Sequence, residues 1–354
     1  MAASTAMTAT PQDAGHQRRT RPTMSDVAAA AGVSAKTVSR VVNRESGVSP
    51  RVRRSVERAV ARLGYRPDLG ARNLRRLAGT TATIALLLED VGNPFSASLL
   101  RAVEDAVAPR GISVFAASLD EDPERERTLV EMFMTRRADG LVMAPASDDH
   151  SYLAAELQAG TPVVFVDRPP AKLSADAVLT TNRSGAAEGV RHLVACGHRR
   201  IAFLGDMRSI ATARERYHGY CDALRDEGIE PDESLAVFDM HDMMSADATV
   251  TSLLTGDHPP TALFTSQNLI TIGALRALRR LRAHGRVAVV GFDDFPLADL
   301  VEPAVTVIAQ DAAAIGSAAA RILLRRLDGD TAEPVTLRIP STLIRRGSGE
   351  IGPP

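Results

Sequence analysis

The chain has 354 residues, 45% of them apolar and 24% charged, with a formal net charge of −1. That length exceeds one typical domain and allows a sizeable core, the composition is that of a globular chain, and no apolar run nears the roughly 20 residues that would span a bilayer. The two cysteines, Cys196 and Cys221, stand in no CxxC spacing, so no metal or redox motif is indicated and reduced, mostly buried thiols are expected.

Charge is unevenly spread. Between Arg18 and Gly79 there are 15 lysines and arginines against 4 acidic residues, a net of +11, which leaves −12 for the rest. A basic end on an acidic body points to one end that touches phosphates. Residues 1–22 hold no apolar core of a secretory signal and read as a disordered tail, with a cytoplasmic, nucleoid-associated protein expected. Thr23 to Asp26 has the form of a capping box, with Asp in place of Glu or Gln. It opens a helix over 24–31 whose inner face is expected to be Val27, Ala30 and Ala31. Gly32 can end that helix in a left-handed conformation, and Ser34 can cap a second one over 35–43. Helix, glycine turn and capped helix form a helix-turn-helix. Val38, Val41 and Val42 face a small core, and Ala35, Lys36, Thr37, Ser39 and Arg40 are left for a DNA groove or backbone. Ser49-Pro50 opens a third helix that Gly64 stops, with Val52, Val56, Val60 and Leu63 as its apolar stripe among five arginines.

This head spans 23–67. Pro67 interrupts helix, and Asp68 can cap a short restart over about 69–77, inside a hinge of 68–80. So short a helix is unstable alone and needs a partner. Arg72, Arg75 and Arg76 suggest DNA, and Leu74 is the apolar residue placed to wedge between base steps.

From Thr83 onward, strand-like runs alternate with helical stretches. TIALLL, ISVFAA, DGLVMA and PVVFVD make one series, and RIAFLG, LAVFDM, TALFTS and VAVVGFDD a second. Such βαβ spacing predicts two α/β lobes, each a doubly wound parallel sheet, with ligand bound beyond the carboxyl ends of the strands in the cleft between them. No GxGxxG, P-loop, GxSxG or HExxH pattern occurs, and the eight histidines are scattered. Neither an enzyme, a cofactor nor a metal is expected.

The strings GVSAKTVSRVVN, VSPRVRRSVERAVARLGYRP and ARNL, with DVGNPF, ACGHRRIAFLGD, RERYHGY, GALRAL, VVGFDD and LIRRGS along the body, resemble the LacI/GalR family of bacterial regulators over residues 23–348. The resemblance implies an all-α head and a body over 81–348 similar to periplasmic sugar-binding proteins. Crossovers near Leu179–Thr181, Ala309–Asp311 and Ile339–Ser341 would make one lobe of about 81–179 with 310–339 and the other of 180–309 with 340–348. Ala35, Lys36 and Arg40 match residues that read the major groove, and Ala71 and Leu74 match the hinge. A homodimer on a palindromic operator in double-stranded DNA is implied. No heptad-rich extension follows Ser348, so no tetramer is expected.

In the cleft, Arg216 and Asp293 match positions that commonly bind ligand hydroxyls, with a structural salt bridge the alternative. Phe95 matches a lining aromatic, with plain core packing the alternative, and Thr212 matches a pocket residue. Gln267-Asn268 stands where the family usually has Asn-Asp, keeping an amide at Gln267 and losing a carboxylate. Ser96 and His241 are further candidates, and Asp294 is expected to be structural. Ile210, where some members carry a polar or basic residue, argues against an anionic effector, and the absence of Trp against a large aromatic one. The implied function is a repressor of carbohydrate-related genes, released by a small sugar or polyol. A regulator with a corepressor or with no effector is the alternative. A solute-binding module for a transporter would have no use for residues 23–79.

Overall fold

The computed structural model describes residues 22–43, 45–65 and 81–354. Ala71, Leu74 and the helix expected over 69–77 lie outside the described residues. The chain forms two compact units, one up to Gly79 and one from Thr80 onward.

The first unit holds α1 (Met24–Ala31), α2 (Ala35–Val42) and α3 (Pro50–Leu63). Thr23 and Asp26 cap α1 reciprocally: the Thr23 hydroxyl accepts from the Asp26 amide at 3.3 Å, and the Asp26 carboxylate accepts from the Thr23 amide at 2.7 Å. Gly32 takes up φ 66° to end the helix, a conformation that costs glycine little. Val27, Ala28, Val38, Val41, Val56, Ala59 and Tyr65 form the core. Ala31 packs half-buried against this core as expected, whereas Ala30 is exposed and Ala28 is buried instead, because α1 packs against both α2 and α3 and its adjacent positions 27 and 28 are enclosed.

The second unit contains two six-stranded sheets. In the first lobe β1 (Thr83–Leu88), β2 (Ser113–Ser118), β3 (Gly140–Met143), β4 (Val163–Val166), β5 (Asp176–Thr180) and β11 (Thr336–Ile339) are ordered β11-β5-β4-β3-β1-β2, all parallel. In the second, β6 (Ile201–Leu204), β7 (Ala236–Val237), β8 (Ala262–Thr265), β9 (Ala288–Phe292), β10 (Thr306–Ala309) and β12 (Thr342–Ile344) are ordered β12-β10-β9-β8-β6-β7. Only β12 runs antiparallel there. Strand side chains alternate between two cores, one on each face, as helices on both sides require. Ile84, Leu86 and Leu88 join Leu99, Ile315 and Leu323, while Ala85 and Leu87 join Phe133, Leu141 and Phe165.

The chain passes between the lobes after β5, after β10 and after β11. Thr181 and Ser341 tie two of these passages together, through a hydroxyl contact of 3.1 Å and a bond from the Ser341 amide to the Thr181 hydroxyl at 2.9 Å. The stretch LAVFDM supplies only the two-residue strand β7. Strands β5, β10, β11 and β12 are not among the strand-like runs of the two series; in β11, Thr336, Leu337 and Arg338 are exposed at a sheet edge. Among the described residues no helix is long and apolar enough to cross a membrane.

Three helix pairs meet backbone to backbone at glycine, one of them at Gly273 of Asn268–Arg280, where a Cβ would lie 2.5 Å from the Met243 carbonyl oxygen of Met243–Thr255. A Cβ on Gly219, in the helix Ala211–Asp226, would lie 2.1 Å from the Arg183 carbonyl oxygen of the helix Asn182–Ala195. One on Gly316, in Ala312–Leu327, would lie 2.6 Å from the Leu99 carbonyl oxygen of Pro94–Val107.

Candidate DNA-reading face and inter-lobe cleft

The Ser34 hydroxyl caps α2 by accepting from the Thr37 amide at 3.2 Å. This fixes the N-terminal turn, on which Ala35 and Lys36 are exposed, with Arg40 exposed one turn later. Thr37 and Ser39 are half-buried and engaged locally: Thr37 meets the Ser34 hydroxyl at 3.0 Å, and Ser39 accepts from the Asn43 amide group at 3.3 Å. On α3, Arg51, Arg54, Arg58 and Arg62 are exposed, whereas Arg53 donates to the Glu45 carbonyl at 2.9 Å and braces the preceding loop. The unit thus presents exposed cations beside an exposed helix N-terminal turn, the requirement for reading bases while gripping phosphates.

In the second unit the polar side chains gather at the carboxyl ends of the strands. Asp293 follows β9 with φ 70°, and Arg216 reaches it from the helix Ala211–Asp226 at 3.5 Å. The Arg216 guanidinium also donates to the Asn182 side chain at 2.8 Å and the Ser266 carbonyl at 2.6 Å, and lies 3.9 Å over the Phe292 ring. Gln310, after β10, donates to Asp293 at 2.6 Å. Burial pushes the Asp293 carboxyl above the usual carboxylate range, against the pull of Arg216 and Gln310. The ion pair and the candidate ligand pair are therefore the same two residues. Asp294, next in sequence, is held bidentately by Arg346 at 2.6 and 2.7 Å.

Gln267 caps the helix Asn268–Arg280 through its side-chain oxygen, which accepts from the Leu269 amide at 3.1 Å, and its NH2 donates to Asp206 at 3.1 Å. Its amide orients a neighbour. The carboxylate missing from position 268 is answered across the cleft, where Asn268 and Asn93 exchange hydrogen bonds of 3.0 and 3.3 Å between the lobes. His241 sits between Asp206 at 3.0 Å and Glu89 of the first lobe at 3.5 Å. Arg168, after β4, pairs bidentately with Glu121 at 2.5 and 2.7 Å, and its buried Nε has no hydrogen-bond partner.

The candidate residues divide over several places. Phe95 and Asp293 line a cavity of about 720 Å³ with Gln310 and Pro340. Thr212 lines another of similar volume with Asp167, Asn182 and Arg338. Arg216 and Gln267 are buried in the polar layer, and Ser96 is buried within its helix. Sequence reasoning missed Glu89, Asn93, Glu121, Arg168 and Asp206. All but Asn93 stand within three residues of the carboxyl end of a strand, the position where parallel sheets place ligand-facing groups, and that offset could have found them. Among the described residues no group of three or more His, Cys, Asp or Glu could hold a metal ion.

Two family models match this chain: the bacterial regulatory proteins of the lacI family over residues 23–68, and the periplasmic binding proteins and sugar binding domain of the LacI family over 81–347. The chain belongs to the LacI family. The HTH-type transcriptional regulator CelR of Thermobifida fusca is 34% identical over 345 residues, covering 94% of this chain and 100% of that one. The ribose operon repressor of Escherichia coli K12 is 30% identical, covering 92% and 99%. Among solved structures, a CelR–cellobiose complex aligns at TM-score 0.68 with 32% identity, covering 93% and 100%. The lac repressor dimer bound to operator and the anti-inducer ONPF aligns at 0.78 with 28% identity, covering 93% and 99%. Membership of the LacI family makes this chain a DNA-binding transcriptional regulator and not an enzyme.

Proposed function

We propose that this LacI-family regulator represses carbohydrate-related genes, binding a palindromic operator as a homodimer and releasing it when a small neutral sugar or sugar derivative occupies the inter-lobe cleft. The buried Arg216–Asp293 pair carries this reading. A guanidinium reaching from a helix to a carboxylate at a strand end, against an aromatic face, supplies the donors and acceptors that adjacent hydroxyls need. The cellobiose complex of CelR and the ribose operon repressors support the ligand class. Exposed apolar side chains on both lobes support a dimer: Phe115 on the edge strand β2 is 55% exposed, and Leu297 and Leu300 are 63% and 74% exposed.

Ala35, Lys36 and Arg40 of each protomer would face a half-site, with Thr37 and Ser39 beside the DNA backbone and Ala71 and Leu74 in the minor groove at the centre. Sugar releases DNA only by favouring the lobe arrangement that binds DNA less well.

The test is fluorescence anisotropy of the purified chain on the intergenic DNA beside its own gene, against shuffled DNA at one salt concentration. Binding about a hundredfold tighter to the native sequence is expected, with release by a sugar from a panel that includes cellobiose and ribose. Equal, weak binding to both DNAs in the presence and absence of every sugar rejects the reading. Tightening by a sugar assigns the opposite sign, a corepressor. Arg40→Ala is expected to weaken operator binding by roughly 10- to 100-fold and to relax base preference where the side chain reads. Leu74→Ala is expected to weaken specific binding more than nonspecific binding, and equal loss in both would reject the wedge role.

A further inference from the structure

One ionisable pair crosses the cleft from lobe to lobe. Glu89 extends from the end of β1 in the first lobe, and His241 from the segment after β7 in the second, with His241 Nε2 3.5 Å from Glu89 Oε1. The other ring nitrogen, Nδ1, lies 3.0 Å from Asp206, whose second oxygen accepts from Gln267. The imidazole is thus fixed by its own lobe and offered to the opposite one. The charged groups facing this pair are Asp206 from the end of β6, Asp242 beside the ring, and Glu121 and Arg168 from the first lobe, with Glu121 neutralised by Arg168.

We infer that Glu89 and His241 are positioning residues, a clasp that holds the two lobes closed over the ligand, so that closure and ligand affinity are linked to uptake of a proton. The inference rests on the reading of the cleft as the effector site. The hydrogen bond to Asp206, then the carboxylates of Asp206 and Glu89, raise His241 to about 9. Burial, then Glu121, raises Glu89 to about 7, against the pull of Arg168 and His241.

Both groups hold a proton more tightly in the closed form than in water, so closure is favoured by acid and weakens as pH rises. Glu89 gives up its contribution up to about 7, and His241 gives up its own from its ordinary 6.5 through about 9. Above that, Glu89 and Asp206 face one another with no cation between them, and the lobes separate.

The test uses the full chain without ligand, so its outcome is independent of whether any sugar binds; the sugar panel on operator DNA judges the effector reading separately. Histidine signals are followed by NMR against pH, with those of His241 assigned by their loss in His241→Gln. The wild-type midpoint is expected near 9. In Glu89→Gln it falls by about one pH unit, since an opposite charge within reach is removed while Asp206 remains. Small-angle X-ray scattering is expected to show the radius of gyration rising between pH 8 and pH 10 in the wild type, with no change over that range in His241→Gln. A His241 midpoint that Glu89→Gln leaves unmoved overturns the clasp. So does a wild-type radius of gyration that is the same at pH 8 and pH 10. Should His241→Gln be unstable, the first arm is read from Glu89→Gln alone: of the eight histidines the one titrating near 9 must shift, and the absence of any shift overturns the clasp.

Discussion

Asp293→Ala is expected to give a chain that still binds operator and no longer releases it with sugar. Asp293 is buried, accepts from Gln310 at 2.6 Å and stands 3.5 Å from Arg216. Removing one member of a buried, hydrogen-bonded charge pair costs about 2–5 kcal/mol at a binding site, so affinity should fall at least about thirtyfold. Folding should survive, because Arg216 keeps its bonds to Asn182 and Ser266 and its place over Phe292. The DNA-reading residues belong to the other compact unit, so operator affinity without sugar should stay at the wild-type level. Asp293→Asn keeps the size of the side chain and removes its charge, and should fall between wild type and alanine. Anisotropy on operator DNA with increasing sugar measures all three. Full release by Asp293→Ala would show that the pair serves the fold alone.

Gly219→Ala is expected to be among the most damaging single substitutions in the body. The added methyl would lie 2.1 Å from the Arg183 carbonyl oxygen and 2.9 Å from its carbon. Both are backbone atoms of a helix and cannot swing aside, so the two helices must separate along their contact. Overpacking costs about 1–3 kcal/mol in an adaptable core, and a backbone clash belongs at or above the top of that range. At about 2–4 °C per kcal/mol for a unit of this size, a melting temperature lower by roughly 10 °C follows. Gly316→Ala should act in the same direction in the first lobe. Gly285→Ala, where a Cβ meets nothing within 4 Å, is the control and should melt with the wild type. A Gly219→Ala melt within 2 °C of wild type would mean that the helices sit farther apart in solution.

The parts of the fold legible in sequence are those fixed by local chemistry. Thr23, Ser34 and Ser49 cap the helices they precede, and Gly32 and Gly64 end α1 and α3. Apolar runs mark β1 to β4, β6, β8 and β9, and all of these but β2 are buried. The illegible strands are those defined by a neighbour, such as β11, whose alternation of Thr336, Leu337, Arg338 and Ile339 is too short to stand out and which is a strand because β5 offers it an edge. The same holds in the cleft. Arg216 and Asp293 stand in motifs that resemblance could find. Asn93 and Asn268 are 175 positions apart, and each looks like a helix-start residue until the lobes face one another. His241 could be offered only as a bare candidate, because its meaning comes from Asp206 and Glu89, which follow the strands β6 and β1.

The three passages between lobes also bear on how the protein is made. The first lobe takes its last strand, β11, and the helix carrying Ile315 and Leu323 from residues beyond 311, after the second lobe's first five strands have been synthesised. The second lobe then takes β12 from residues 342–344. Neither lobe can close its core until nearly the whole chain has left the ribosome, and a premature stop late in the message would leave both unfinished. The head needs only its first 65 residues for its buried core. Such a truncated product would carry a finished DNA-reading unit on a body unable to respond.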